Sequence, residues 1–381
     1  MGAGALVAEA VDRTGLDDFG GDEFREGLTV LAEAIDAEAQ LDDFGRVAVP
    51  GQIVGALANR LRIVGFASSH PEVGDERIEA PLVVIGMFRA GTTLLSQLLD
   101  QDPANRALLS WEVADSVPPP SPDDFRAGPR VEAVRAGQQL LAQVNPAMDA
   151  AHHEQADQAT ECLGVLAQDF KSLLWEAVAI VPSYSSWLDG ADHLSAYRHH
   201  RRVLQVLQHG GVRGRWTLKS PHHALALEAL TTVYPDARLV VLHRDPAVLC
   251  ASVCSLIRTL SSTFTDADHT QYLAVRWPNV LEQSIERMDA FRDTHPDHPI
   301  VDVQYGDLVR DPVGTVARIS EATGRPLADG AADAMTAHLA ANPKDRFGAH
   351  RYDLAEFGLD ADAVRERFAG YIERYDVPRE R

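Results

Sequence analysis

The sequence predicts an α/β fold, in which an open, mainly parallel sheet is flanked by helices. Short runs of apolar, β-branched residues have the length and composition of buried strands, and patterns with a helical period follow them. This alternation is typical of parallel sheets, because parallel neighbours need crossover connections that usually contain a helix. Helical patterns before the first strand and after its helix predict two additions, an N-terminal segment and an insertion.

One domain of 381 residues would hold all of these elements, since a chain of this length can form a single large α/β domain. Apolar residues recur at i, i+3 and i+4 in residues 24–41 and 53–64, which predicts two N-terminal helices. The expected parts are a helical N-terminal segment at residues 20–77, an α/β core at 78–118 and 213–325, a helical insertion at 130–212, and a C-terminal loop and helix at 326–381.

The first strand leads into a loop with the spacing of a phosphate-binding loop. Residues 82–85 are the strand, and Gly86 and Gly91 bracket four residues before a helix that begins with Thr92. Backbone N–H groups at such a helix start point towards an anion, and the helix dipole favours negative charge. Nucleotide-hydrolysing loops carry Lys after the second Gly, whereas this chain has Thr92 there and a cation earlier, at Arg89. We therefore expect a phosphate-like anion without the usual arrangement of Mg²⁺ and the β- and γ-phosphates.

Two later strands also end near a cation. The remaining core elements are predicted at residues 216–218, 224–233, 239–242, from Pro246 onwards, at 300–305, and at 312–323 with Gly324 as the stop. Lys219 and Arg244 follow the strands at 216–218 and 239–242. Ligands of open parallel sheets bind at the carboxyl ends of the strands, so Arg89, Lys219 and Arg244 would lie together there.

Charge and composition exclude several classes of partner. The formal net charge of −21 argues against nucleic acid and against anionic membrane surfaces. No apolar run reaches transmembrane length, and the N-terminus lacks the pattern of a secretory signal. Three cysteines form no disulfide framework, which favours a reducing compartment, so we expect a cytoplasmic protein. An oligomer of this chain is compatible with the sequence.

In this order and spacing, the segments resemble those of sulfotransferases that use 3'-phosphoadenosine 5'-phosphosulfate, in the bacterial branch of that P-loop-like family. The family's loop pattern P-R-S-G-T-T stands here as Phe88-Arg89-Ala90-Gly91-Thr92-Thr93. The departures are Phe for Pro and Ala for Ser, and the second removes a hydroxyl contact without affecting backbone donors. The resemblance covers most of residues 20–381.

The resemblance implies a donor, a reaction and a set of contacts. The donor would be 3'-phosphoadenosine 5'-phosphosulfate, and its sulfuryl group would move to a hydroxyl or amine of a small-molecule, lipid or glycan acceptor without a metal. In the family, the loop holds the 5'-phosphosulfate, a strand-end Arg and a Ser on the next helix hold the 3'-phosphate, and a basic C-terminal loop closes over the nucleotide. The matching residues here are Phe88, Arg89, Ala90, Gly91, Thr92, Thr93, Leu94, Arg244, Ser252, Lys344, Arg346 and Arg351.

Four residues are candidates for catalysis. Arg89 and Lys219 would stabilise the charge that builds on the transferring group. A base must also deprotonate the acceptor. Glu112 lies after the first helix, at about the position where the tyrosylprotein branch of the family has its Glu base, whereas the cytosolic branch uses a His and His153 is the candidate of that type. The sequence leaves the choice between Glu112 and His153 open.

Two other classes of function remain at this stage. A P-loop-like nucleotide kinase would need the Lys after the second Gly and a carboxylate for Mg²⁺ after a strand, and turnover of Mg²⁺-ATP would reveal it. A non-catalytic protein that binds an anionic nucleotide would bind without turning over any acceptor. Neither class accounts for Arg89, Lys219, Arg244 and Ser252 together.

Overall fold

The computed structural model describes residues 2–86, 88–148, 155–343 and 353–380. Within these ranges, the strands are β1 (Leu82–Gly86), β2 (Asn105–Ala107), β3 (Arg215–Lys219), β4 (Arg238–His243) and β5 (Ile300–Gln304). They form one sheet in the order β2-β3-β1-β4-β5, and every neighbouring pair is parallel. The predicted α/β class is confirmed.

The register of the sheet aligns the strand ends that carry the predicted cations. Val84 of β1 pairs with Lys219 of β3, and Gly86 of β1 pairs with Leu242 of β4. The carboxyl end of β1 therefore lies beside Lys219 and close to Arg244, which follows β4. This is the carboxyl edge of the sheet, where open α/β sheets bind their ligands.

Helices flank the sheet, and further helices precede and follow its strands along the chain. In the described residues they are α1 (Ala3–Thr14), α2 (Phe24–Glu38), α3 (Gly45–Ser69), α4 (Thr92–Leu99), α5 (Ser110–Ala114), α6 (Pro129–Val144), α7 (Leu163–Leu166), α8 (Leu174–Val178), α9 (Pro182–Gly190), α10 (Leu194–His209), α11 (Leu227–Val233), α12 (Pro246–Ser261), α13 (Thr270–Thr294), α14 (Tyr305–Arg310), α15 (Pro312–Ala322), α16 (Ala331–Ala341), α17 (Ala361–Arg367) and α18 (Ala369–Arg374). None of these helices is both long and apolar enough to cross a bilayer.

Two apolar cores hold the chain together. The first surrounds the sheet, in which every residue of β1 and β3 is buried, as expected for parallel strands covered on both faces. The second joins the N-terminal helices to α8 and α9, and it buries Leu28, Leu57, Trp175 and Tyr184. The N-terminal segment is thus packed against the insertion by apolar contacts rather than attached by a linker.

The elements that differ from their predicted form include α1, which precedes the predicted N-terminal segment, one helix of the core and strand β2. Residues 224–233 are not one helix, because a 3₁₀ turn (Pro221–Leu225) precedes α11, and the hydroxyl of Ser220 accepts the His222 N–H at 3.1 Å to start that turn. Strand β2 is not predicted by its own residues, since Asn-Arg-Ala contains no apolar run. Pairing with the buried strand β3 makes it a strand.

Five histidines are buried where α10, in the helical insertion, meets the Pro221–Leu225 turn. They are His193, His199, His200, His222 and His223. The Tyr197 hydroxyl lies 2.7 Å from Nδ1 of His223, and the Tyr234 hydroxyl lies 2.7 Å from Nδ1 of His200. Burial lowers the pKa of every one of the five, to about 4 for His193 and about 3 for His200. The folded protein therefore needs these imidazoles to be neutral.

Lowering the pH from 7.5 to 5.5 should reduce the free energy of unfolding. Histidines in the unfolded chain titrate near pH 6.5, so below that pH the unfolded state binds more protons than the folded state. The stability that the neutral histidines contribute is present above about pH 6.5 and is lost as the pH falls towards their lowered pKa values in the folded state. Each histidine can reduce the free energy of unfolding by up to about 1.4 kcal/mol per pH unit. Urea denaturation at several pH values measures this slope, and His200→Asn should make it shallower. Equal unfolding free energies at pH 7.5 and 5.5 would contradict the expectation.

Candidate active site

The loop between β1 and α4 has a backbone that depends on two glycines. Gly91 has a φ of +94°, and a Cβ there would lie 2.9 Å from the ring of Tyr305. A Cβ on Gly86 would lie 2.5 Å from Cγ2 of Thr92. Arg89 also has a positive φ, +70°, which is uncommon outside glycine. The loop therefore turns the chain directly into α4, whose first N–H groups have no partner within the helix.

The other predicted loop residues lie partly in the core and partly on a cavity. Ala90 is fully buried. The ring of Phe88 packs edge-on against Trp277, with 5.1 Å between the centroids, and also faces the cavity. Thr93 and Leu94, in the first turn of α4, line the same cavity.

Arg89 contacts two other predicted binding residues across the sheet edge. Nε of Arg89 donates to the hydroxyl of Ser252 at 3.1 Å, and Ser252 is buried on α12. Nη1 of Arg244 donates to the backbone carbonyl of Arg89 at 2.7 Å. The loop, the end of β4 and the helix that follows β4 are thus joined through two guanidinium groups and one hydroxyl.

Arg244 is held by two further groups. Its guanidinium lies over the ring of Tyr305, 3.8 Å from the centroid. Its Nε and Nη2 donate to the two carboxylate oxygens of Glu380, at 2.8 and 2.9 Å. The Arg244 side chain is only 12% exposed, so these contacts fix its position at the edge of the cavity.

Lys219, at the end of β3, forms an ion pair with Glu161. Its Nζ lies 2.9 Å from Oε1 of Glu161, and the Lys219 side chain is 3% exposed whereas that of Glu161 is 19% exposed. The next residue, Cys162, donates its N–H to the Lys219 carbonyl at 2.8 Å. The segment before α7 is therefore bonded to the end of β3. Glu161 is the more exposed member of the ion pair.

A cavity of about 760 Å³ connects these groups. Its polar wall includes Arg89, Arg244, Glu161 and the N-terminal turn of α4. Its remaining wall is mostly apolar, with contributions from α6, α7, α8, α12 and α16: Leu141, Leu163, Leu174, Val178, Ile257, Leu260 and Leu339. The site thus places a polar edge with two arginines next to an apolar chamber.

The surroundings of Glu112 do not support its predicted role as base. Glu112 is completely buried, and its two carboxylate oxygens bond to Nη1 and Nη2 of Arg106. One of the same oxygens also accepts the Leu109 N–H at 2.9 Å, which caps α5. The Arg106 guanidinium is stacked between the rings of Phe125 and Trp216. Because both oxygens are engaged by Arg106 and the Leu109 N–H, we propose a structural role for Glu112, and its base role stays a prediction.

Four predicted residues lie outside the described residues. They are His153, Lys344, Arg346 and Arg351.

Sequence reasoning missed three residues of the site. Glu161 is in the segment before α7, and its only signal was a carboxylate placed just before an apolar run. Tyr305 directly follows β5, so its position at the carboxyl edge of the sheet could have been inferred. Glu380 has no local signal, because only the folded chain brings it to Arg244.

The chain is an α/β protein with cationic side chains at the carboxyl edge of a parallel sheet, beside an apolar chamber. A sequence profile of the sulfotransferase family matches residues 81–329. The chain belongs to this enzyme family, as its resemblance predicted.

Two curated relatives match part of the chain with 23% sequence identity. The omega-hydroxy-beta-dihydromenaquinone-9 sulfotransferase Stf3 of Mycobacterium tuberculosis is 23% identical over 263 residues, which are 65% of this chain and 63% of the relative. The protein of the same name from Mycobacterium bovis matches to the same extent. The match thus spans less than two thirds of the length of these curated relatives.

Two solved structures resemble the whole chain. The sulfotransferase STF9 from Mycobacterium avium is 34% identical, with a TM-score of 0.91 over 99% of this chain and 97% of that one. The sulfotransferase STF1 from Mycobacterium tuberculosis H37Rv is 35% identical, with a TM-score of 0.85 over 96% of this chain and 98% of that one.

Glu112→Gln should destabilise the protein and leave the chemistry of the folded fraction intact. Removing one partner of a buried ion pair leaves the Arg106 charge uncompensated, which costs about 3–5 kcal/mol. Urea denaturation measures the loss, and turnover per folded molecule is measured alongside it. Glu132→Gln, which removes an exposed partner of Arg135, is the control and should change stability by less than about 1 kcal/mol. Unchanged stability with lost turnover would restore the base role to Glu112.

Proposed function

We propose that this protein transfers the sulfuryl group of 3'-phosphoadenosine 5'-phosphosulfate to a hydroxyl of an apolar small-molecule or lipid-like acceptor. The observation that carries the proposal is the contact of Arg89 with both Ser252 and Arg244 at the carboxyl edge of the sheet. These three residues are the ones that the family pattern assigns to the two anionic groups of the donor. They stand beside an apolar chamber that also contains a carboxylate, Glu161.

The residues present fit a donor with two anionic groups. The loop N–H groups at the start of α4 and the guanidinium of Arg89 would hold the 5'-phosphosulfate, because a helix start and a cation both favour negative charge. Arg244 and the hydroxyl of Ser252 would hold the 3'-phosphate, for which a planar guanidinium offers paired donors. The donor supplies the sulfuryl group, and the bisphosphate is the leaving group.

A nucleotide kinase fits these residues less well. The position after Gly91 is Thr92, where a kinase loop of this spacing needs Lys for the β- and γ-phosphates. The end of β4 carries Arg244, whose guanidinium suits an anion and not Mg²⁺.

Glu161 is the residue that we propose as the base. Its carboxylate lines the cavity and is more exposed than that of Glu112. The Lys219 ammonium, 2.9 Å away, holds the carboxylate in the orientation that faces the chamber. When the acceptor oxygen forms its bond to sulfur and the bond from sulfur to the phosphate oxygen breaks, Glu161 would take the hydroxyl proton. His153 remains the alternative base.

Cations in fixed positions would stabilise the charge that develops on the sulfuryl group during transfer. Arg89 lies in the loop at the start of α4, and its guanidinium is oriented by Ser252. Donors that are already oriented stabilise charge as it develops without the cost of reorganisation. Lys219 would contribute through Glu161, as the counter-charge that keeps the base in place.

The chamber favours an apolar acceptor. Its leucine, valine and isoleucine side chains offer few hydrogen bonds to a sugar, and a glycan would leave its hydroxyls unpaired there. We therefore propose a lipid-like or phenolic alcohol whose hydroxyl reaches Glu161. The three cysteines are free and buried, which fits a reducing cytoplasm as the place of reaction.

Arg244→Ala should weaken binding of 3'-phosphoadenosine 5'-phosphate more than binding of adenosine 5'-phosphosulfate, because the second ligand lacks the 3'-phosphate and is affected only through the lost contact with the Arg89 carbonyl. The loss of a charge-assisted contact should cost about 1.5–3 kcal/mol. Titration calorimetry with the two ligands measures the difference. An equal loss of binding affinity for both ligands would mean that Arg244 does not hold the 3'-phosphate.

Glu161→Gln should lower kcat by about 10²–10⁴-fold while the affinity for the donor changes little, because Gln keeps the size of the side chain and cannot accept the proton. Asp157→Asn, which removes a nearby carboxylate that pairs with Arg135, is the matched control and should keep its activity. Initial rates with a labelled sulfate donor measure both variants. A fully active Glu161→Gln variant would return the base role to His153.

A further inference from the structure

The carboxylate of Glu380 occupies the same face of Arg244 that a phosphate would use. Its two oxygens accept from Nε and Nη2 of Arg244 at 2.8 and 2.9 Å, the paired geometry in which a guanidinium also binds a phosphate. A third nitrogen of Arg244, Nη1, is engaged by the carbonyl of Arg89. An anionic ligand that takes the paired donors must therefore replace Glu380.

Hydrogen bonds hold the backbone of Glu380 at this position, so its side chain is kept next to Arg244. The Glu380 N–H donates to Oδ2 of Asp245 at 2.8 Å, and Nη2 of Arg365 donates to the Glu380 carbonyl at 3.2 Å. Arg365 also pairs with Asp245 at 2.8 Å. Burial alone would raise the pKa of Asp245, but the bonds from Arg365 and the Glu380 N–H outweigh it and hold that pKa low. Val377, three residues earlier, is buried.

We propose, on the basis of the proposed function, that Glu380 competes with the 3'-phosphate for Arg244 and so sets how tightly the protein holds 3'-phosphorylated nucleotides. A phosphate carries more charge than a carboxylate, so it displaces Glu380 at the cost of the ion pair. The cost falls on every ligand with a 3'-phosphate, including the leaving bisphosphate, and on no ligand without one. Return of Glu380 to Arg244 would assist release of the product, a step that often limits turnover.

The test compares Glu380→Gln with Glu373→Gln in the full-length protein. Glu373 is exposed on the same C-terminal segment, so both variants lose one negative charge. Titration calorimetry is performed with 3'-phosphoadenosine 5'-phosphate and with AMP. We expect Glu380→Gln to bind the bisphosphate about 5- to 30-fold more tightly than the unaltered protein, as removal of a charged competitor implies. Its affinity for AMP, and both affinities of Glu373→Gln, should stay within about twofold.

A second comparison separates competition from a structural effect. In the Arg244→Ala background, Glu380→Gln should no longer alter bisphosphate affinity, because the group for which it competes is gone. Unchanged or weakened bisphosphate binding by Glu380→Gln alone would overturn the proposal, and weakened binding would make Glu380 a support that orients Arg244. A protein that binds no bisphosphate in any form would instead refute the proposed function.

Discussion

The guanidinium of Arg244 is the group on which the arrangement of the site depends. It joins the loop after β1, the end of β4 and the C-terminal segment, which are far apart in the sequence. Arginine suits this position because its planar fork offers several donors at fixed angles and its face can stack on an aromatic ring. Here Nη1, Nε and Nη2 are all engaged and the face lies on Tyr305. A lysine could supply the charge but not these simultaneous directions.

The second pair at the sheet edge has a different role. Lys219 is almost completely buried and bonds to Glu161, which faces the cavity. An ion pair with one buried and one accessible member orients the accessible carboxylate without removing it from the site. The pair of Arg106 with Glu112 shows the contrasting case, in which both charges are buried and the carboxylate serves α5.

Much of the fold could be predicted from local pattern. Strands β1 and β4 are mostly apolar runs, and α12 begins with a proline. Each of these elements therefore has a signal in its own residues. Strand β2 has no such signal, because its pairing with β3 is a tertiary effect. The strand-end cations could also be predicted, since topology alone brings them to one edge. The partners Glu161 and Glu380 could not, because each depends on where a distant segment packs, and the position of Glu112 in sequence does not reveal that Arg106 already holds it.

The most direct test of the account is calorimetric titration of the unaltered protein in the presence of EDTA, with 3'-phosphoadenosine 5'-phosphate and ATP as ligands. The proposed function requires separate contacts for a 5'-anion and a 3'-phosphate, and Thr92 stands after Gly91 where a triphosphate-binding loop has lysine. We therefore predict that the bisphosphate binds much more tightly than ATP and that added Mg²⁺ does not reverse the order. Tight binding of ATP that appears only when Mg²⁺ is added, with weak binding of the bisphosphate, would contradict it.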